Sequence, residues 1–493
     1  MLLLGIDLGT SSVKISVVDA QTQKAIASAQ YPDAEAPIIS QASGWAEQDP
    51  EQWWLYVKKA IAKAQATGKY HPKDIAAIGI AYQMHGLVVV DAQGTPVRNS
   101  IIWCDSRAVP YGEAAFEKLG AEEVLPELLN SPGNFTAAKL AWLKDKEPEN
   151  YLRIKKIMLP GDYIAFKLTG ETTTTASALS EGIFWDFKNN KVSEKVMDAF
   201  GFDTSVIPDI APLFGSHSRL TQLVADELQL QQGIPVTYKS GDQPNNALSL
   251  NVMRAGELAA TAGTSGVIYG VADAPVYDPS CRINSFAHVN HKDNDPRVGV
   301  LLCINGCGIM NKSIRQLSGA NLSYAAINGE AATINEGSDG LLVLPFGNGA
   351  ERMLGNQCPG AQVHGWDFNL HTTAHFYRAS QEGVAFAFRY GFDIMRANGM
   401  NPSVIRAGYA NMFLSDVFTH ALVNVLGIPV ELYDADGSVG AALGAGVGAG
   451  FFREDELGKG LNLRATITPS ANTAYEPVYQ SWLTLLQQSL VKK

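Results

Sequence analysis

Residues 2–19 read Leu-Leu-Leu-Gly-Ile-Asp-Leu-Gly-Thr-Ser-Ser-Val-Lys-Ile-Ser-Val-Val-Asp. An apolar strand runs into Asp7, a turn of small residues follows, and a second strand rich in β-branched residues resumes at Val13. Small residues at a strand end let backbone N–H groups approach an anion closely, so Gly9, Thr10 and Ser11 form a candidate phosphate cradle. A plain hairpin turn is the alternative. A P-loop is excluded: the two Gly-Lys pairs, Gly68-Lys69 and Gly458-Lys459, have Lys63 and Arg453 where the motif needs its first glycine.

The same pattern returns at residues 256–271, GELAATAGTSGVIYGV, where Gly263-Thr264-Ser265 repeats Gly9-Thr10-Ser11 inside a strand–turn–strand frame. Two related halves, each with such a hairpin, would grip a nucleotide between them. Between and beyond the hairpins, strands alternate with helical patterns, which predicts an α/β fold of mixed sheets covered by helices. Asp49 and Pro50 are read as N-cap and N1 of a helix whose Trp53, Trp54, Val57 and Ile61 face a core. Further on, Val404–Arg406 and Val430–Leu432 are read as strands flanking a helix from Phe413 to Leu426. The acidic turn 434–437 then leads into the Gly/Ala-rich run SVGAALGAGVGAG. Gly444-x-Gly446-x-x-Ala449 lies inside that helix rather than at a strand-to-helix turn, so it is read as close helix packing and not as a dinucleotide fingerprint. The division is placed at 1–240 and 241–493.

The 38 Lys and Arg are outnumbered by 49 Asp and Glu, giving a formal charge of −11. That argues against nucleic acid or an anionic membrane as partner; a phosphate-handling protein of this charge needs local amides and a metal. No apolar run is long enough for a membrane span, and the opening lacks the basic region of a signal peptide. The five cysteines form no Cys-x-x-Cys pair and are read as free thiols in a reducing cytoplasm.

The stretches GIDLGTSSVK, GWAEQDPEQWW, YQMHGLVVVD, IIWCDSRA, LPGDYIAFKLTGE, SGDQPNNALSL, AGTSGVIYG, LPFGNGAER and QEGVAFAF together resemble the FGGY family of carbohydrate kinases over nearly the whole chain. The resemblance implies two ribonuclease-H-like domains in an actin-like arrangement, sugar bound mainly by the first and ATP by the second, with Mg²⁺ on the phosphates. It implies a small-molecule sugar as partner, D-xylulose foremost and another ketose such as sedoheptulose as the alternative. A non-catalytic actin-like ATP-binding protein is the reading from a different class, and a homodimer is the candidate assembly.

Phosphoryl transfer needs positioning, charge neutralisation and a base for the accepting hydroxyl. Asp242 is the expected base, with an N-cap role as its structural alternative. Asp7 is the expected Mg²⁺ carboxylate, acting through water. Gly9, Thr10, Ser11, Gly263, Thr264 and Ser265 are the expected phosphate contacts. Gln83, Met84 and His85, with Asp242 and Gln243, are the expected sugar contacts: precise polar groups beside one apolar wall. Asp105 and Arg107 are left between ligand contact and internal ion pair. Gly408, Ala410 and Asn411 are expected near adenine, although Tyr409 stands where the family carries a glycine and is placed to restrict the base or stack on it. Residues 172–187 are given no ligand role.

Overall fold

The computed structural model describes residues 1–318, 322–471 and 474–491. Its first large sheet contains β1 (Leu2–Leu8), β2 (Val13–Asp19), β3 (Ala25–Tyr31), β4 (Ile75–Tyr82), β5 (Phe214–Arg219) and β6 (Pro235–Gly241), in the order β5-β6-β4-β1-β2-β3. The second contains β7 (Glu257–Ala262), β8 (Gly266–Ala272), β9 (Asn284–Ala287), β10 (Val298–Ile304), β11 (Val404–Gly408), β12 (Val430–Asp434) and β13 (Asn462–Ile467), in the order β9-β10-β8-β7-β11-β12-β13. In each sheet three antiparallel strands lead to two parallel neighbours and an antiparallel edge: β3-β2-β1 then β4, β6 and β5; β10-β8-β7 then β11, β12 and β13. This duplication is the ribonuclease-H-like, actin-like arrangement. Only β9 has no counterpart in the first sheet.

Helix α1 (Pro50–Gln65) begins as its sequence predicts: the Asp49 carboxylate accepts the Glu51 amide at 2.9 Å, Pro50 occupies the first turn, and Trp53, Trp54, Val57 and Ile61 are buried. Further helices that bear on the site are α2 (Thr136–Lys146), α3 (Ala176–Glu181), α4 (Asp242–Ser249), α5 (Gly308–Leu317), α6 (Thr373–Ala397), α7 (Asp416–Leu426) and α8 (Gly437–Gly448). The helix expected from Phe413 starts later. A short 3₁₀ turn fills Asn411–Leu414, and Ser415 caps α7 by accepting the Phe418 amide.

Helix α8 comes from the last part of the chain yet packs across β1, β2, β4 and β6 of the first sheet. The approach is so close that a Cβ on Gly5 or Gly79 would overlap the Ser438 or Ala441 carbonyl, and one on Gly444 would lie 2.5 Å from the Tyr238 ring. The Gly/Ala-rich run is therefore a close-packing helix, as its sequence implies. No helix of the described residues is long and apolar enough to cross a membrane.

Overpacking a contact between backbone and strand costs about 1–3 kcal/mol. Gly79→Ala should lower the urea midpoint accordingly with an unchanged slope; an unaltered midpoint would show that α8 has room to move away.

Candidate active site

The two hairpins have the same build. The β1–β2 turn closes with the Gly9 amide on the Ser12 carbonyl at 3.1 Å, while the β7–β8 turn spans Gly263–Ser265. Carbonyls of the second turn are tied back: Gly263 accepts from the Gly308 amide at 2.8 Å and Thr264 from Ile309 at 3.1 Å, satisfying the start of α5. Among the described residues, the amides of Thr10, Ser11, Thr264 and Ser265 donate to no backbone acceptor. Free amides at a turn of small residues suit an anion.

Asp7 lies near the end of β1, paired with Lys14 across the ladder rather than closing the turn. Its Oδ2 abuts Gly437 at the start of α8, where any side chain would overlap it. Asp436, which caps α8 through the Ser438 amide at 2.8 Å, is the third carboxylate here, with Lys14 Nζ 3.9 Å from it. Asp242 is the first residue of α4. Gly241 is the N-cap and no side chain caps it, so the structural alternative for Asp242 is not what the fold uses. Burial, followed by the charge of Asp7, pushes the Asp242 carboxyl up to about 7, against hydrogen bonds from Gln243. Burial and Asp436 push Asp7 up to about 6. Among the described residues no three His, Cys, Asp or Glu side chains converge to hold a metal unaided.

The loop after β4 carries Gln83, Met84 and His85. Met84 packs on the residue preceding Asp242: a Cβ on Gly241 would meet Met84 Cγ at 2.6 Å. His85 takes a left-handed backbone (φ 62°), Lys139 Nζ donates to its carbonyl at 2.7 Å, and its Nδ1 lies 3.0 Å from the Glu181 carbonyl. Burial holds its imidazole near 3, hence neutral, so Nδ1–H donates and Nε2 is an acceptor. Gln83 is 2% exposed and turned inward, its Nε2 donating to Gln48 Oε1 at 2.9 Å and its Oε1 accepting from Thr10 Oγ1 at 3.3 Å. The Trp103 indole donates to the same Thr10 hydroxyl at 2.9 Å, leaving its ring about half exposed. Gln83 therefore ties the first hairpin to the loop after β4, and Trp103 ties it to the loop that carries Asp105 and Arg107.

Asp105 and Arg107 form an internal pair. Arg107 Nε donates to both Asp105 oxygens at 3.0 and 2.9 Å, Nη1 lies 2.7 Å from Glu47 Oε1, and the guanidinium stacks 3.7 Å from the Trp45 ring centre. They brace the loop and leave no free cation on it.

On the second half a cavity of about 480 Å³ is walled by Gly263, Thr264, Lys312, Tyr324, Gln381 and Asn411, among others. Asn411 reaches it in a left-handed conformation (φ 54°), with Nδ2 3.6 Å from where a Gly263 Cβ would stand. Gly408, Ala410 and Ser265 do not line this cavity. Neither does Tyr409, which is 48% exposed. Asp436, Glu181 and the α5 and α6 walls escaped the sequence reading. Only the capping pattern Asp-Gly-Ser at 436–438 carried a local signal.

Residues 2–249 match the family model for the N-terminal domain of the FGGY family of carbohydrate kinases. A xylulose kinase of Escherichia coli (strain K12) is 30% identical, with 99% of each chain covered, and one of Haemophilus influenzae is 26% identical over 98% of this chain and 99% of that relative. Three solved structures superpose over nearly the whole chain. They are a xylulose kinase from Rhodospirillum rubrum (TM-score 0.87, 24% identity, 99% of each chain), a gluconate kinase from Lactobacillus acidophilus (0.90, 23%, 99% of this chain and 98% of that one) and a Plasmodium falciparum glycerol kinase with ADP (0.89, 21%, 99% and 98%). The chain belongs to the FGGY family of carbohydrate kinases. It is accordingly a kinase acting on a small-molecule sugar, with ATP as co-substrate.

A base must be ionised to act, so kcat/KM should rise with pH through about 7 as Asp242 loses its proton. Asp7→Asn removes a charge that raises Asp242 and should move this limb to lower pH. A limb unmoved by that change would show that the two carboxyls do not interact.

Proposed function

We propose that this chain transfers the γ-phosphoryl group of ATP to D-xylulose, giving D-xylulose 5-phosphate. The observation that carries the reading is the packing of Met84 on Gly241, the residue before Asp242, in a loop tied to the first hairpin by the Thr10–Gln83 hydrogen bond. Full-length similarity to curated xylulose kinases supports the choice of sugar. So does the sugar side itself. His85 is neutral, Arg107 is held by Asp105 and Glu47, Arg352 donates to Cys281 and Ser131, and Lys139 donates to the His85 carbonyl, so these cations are engaged internally rather than free for a sugar acid such as gluconate. A plain ATP-binding protein would not need the Met84–His85 loop packed against Gly241, next to Asp242.

In this reading the Asp242 carboxylate takes the proton of the accepting hydroxyl as its oxygen bonds to the γ-phosphorus. The bond from phosphorus to the bridging oxygen breaks, and ADP leaves. Free amides of both hairpins contact the phosphates, with Gly9, Ser11, Gly263 and Thr264 lying nearest the chain reversals. Thr10 acts through its amide, because its hydroxyl is already bonded to Trp103 and Gln83. The site fits Mg²⁺ held through water by Asp7, since burial and Asp436 raise Asp7 and Asp7 in turn raises Asp242, a run of neighbouring carboxyls that a cation would relieve. Bound there, the ion would neutralise phosphate charge. Met84 and His85 touch the sugar, with Gln243 beside them and Gln83 supporting from behind; Asn411 serves the base. The functional division falls at residue 240/241, one residue before β6 hands over to α4. A cytoplasmic setting accords with Cys104, Cys281, Cys303 and Cys307 as free thiols.

The test is a kinase screen with the purified protein over D-xylulose, sedoheptulose, glycerol and gluconate. D-Xylulose should have the highest kcat/KM, and a wide preference for any other would overturn the sugar. His85→Asn keeps a residue tolerant of left-handed backbone while removing the ring. An unmade hydrogen bond in a closed cleft costs about 1–3 kcal/mol, so the sugar KM should rise roughly 5- to 150-fold. Met84→Ala should do so less. The KM for ATP should stay put, and equal shifts in both would contradict the assignment.

A further inference from the structure

Strand β9, the one without a counterpart, is the edge of the second sheet. Its inner groups pair with β10, while Ser285 and Ala287 turn their N–H and C=O outward, as alternate residues on an edge must. Side chains from the first half fill both places. Asn130 Nδ2 donates to the Ser285 carbonyl at 2.5 Å while its Oδ1 accepts the Ser285 amide at 2.9 Å. Two residues on, Ser177 Oγ donates to the Ala287 carbonyl at 2.8 Å and Ser180 Oγ accepts the Ala287 amide at 2.9 Å. Three side chains thus do the work of a partner strand, across the boundary between halves.

The residue between the two clasped positions is Phe286. Its ring centre lies 5.3 Å from the His85 imidazole and 5.8 Å from Phe135, which itself meets His85 edge-on at 4.8 Å. The other side of His85 is fixed by the Glu181 carbonyl, at the end of the helix that supplies Ser177 and Ser180. The imidazole is therefore set by both halves at once.

We infer that Phe286 is a positioning residue for sugar recognition: clasped by Asn130, Ser177 and Ser180, it is the surface by which the second half orients the His85 ring. This rests on the reading of His85 as a sugar contact. It makes sugar affinity depend on the docking of β9, not on the first half alone.

A double-mutant cycle tests it. Phe286→Leu keeps apolar bulk in a position that is 1% exposed but removes the ring face. Alone it should raise the KM for D-xylulose about three- to tenfold and leave that for ATP within about twofold; added to His85→Asn it should change the sugar KM by less than about twofold. Asn130→Ala, which frees the edge but keeps the ring, should raise the sugar KM in the same selective way. Full multiplicative effects of Phe286→Leu and His85→Asn, equal shifts in both substrates, or a native sugar KM in either Phe286→Leu or Asn130→Ala would overturn the inference while leaving the sugar site standing. A native sugar KM in His85→Asn would overturn both. Melting temperatures of all four variants identify any that lose the fold, and for Phe286→Leu the selective KM change at an unchanged melting point is the result expected.

Discussion

The contact on which the site depends is the laying of α8 against β1 and β4 at Gly5 and Gly79. No side chain fits between helix and sheet there, so the helix axis is fixed to within a fraction of an ångström. That fixes the start of the helix, and with it Gly437 against Asp7. It also fixes α4, because Gly440 packs on Asn245 and Ser249, and Asn245 Nδ2 donates to the Gly437 carbonyl at 2.8 Å. Two carboxylates from different elements thus come to face one cleft because one glycine-rich helix can approach a sheet closely.

The electrostatics follow from this packing. Helix N-termini favour negative charge by about 0.3–1 kcal/mol, and both Asp7 and Asp242 sit at such ends. Burial nevertheless wins, helped by the charge of Asp436 on Asp7 and of Asp7 on Asp242, and both groups are raised. A base held near 7 suits a hydroxyl acceptor better than an ordinary carboxylate does. In the proposed reading the acidic chain meets its anionic co-substrate with backbone amides rather than a basic surface. Two buried cations are bonded internally, Arg107 to Asp105 and Glu47 and Lys239 to Asp162 at 2.7 Å, while Lys312 lines the cavity of the second half.

Local signals carried much of this into the sequence. Small residues between β-branched runs marked both hairpins, and their repetition foretold the duplicated sheets. Asp49-Pro50 marked α1, and the Gly/Ala run marked a closely packed helix. Its destination was not legible, because periodicity shows that a face is buried without showing which partner buries it. The same limit hid β9: its edge is completed by Asn130, Ser177 and Ser180, which look in sequence like ordinary loop and cap residues. Segment 172–187 was given no ligand role, yet the Glu181 carbonyl in it decides which imidazole nitrogen of His85 is the acceptor. For Asp105 and Arg107 two roles fitted the spacing, and only the positions of Glu47 and Trp45 separate them.

The central claim is that Asp242 removes the proton of the accepting hydroxyl, in a cleft whose two walls bind sugar and nucleotide without its help. Asp242→Asn keeps shape and removes the base, so titration calorimetry beside steady-state turnover tests it most directly. Dissociation constants for D-xylulose and for ATP should stay within a few-fold of wild type while kcat falls by about 10²–10⁴-fold. Turnover near the wild-type rate, or loss of binding of both substrates together, would contradict it.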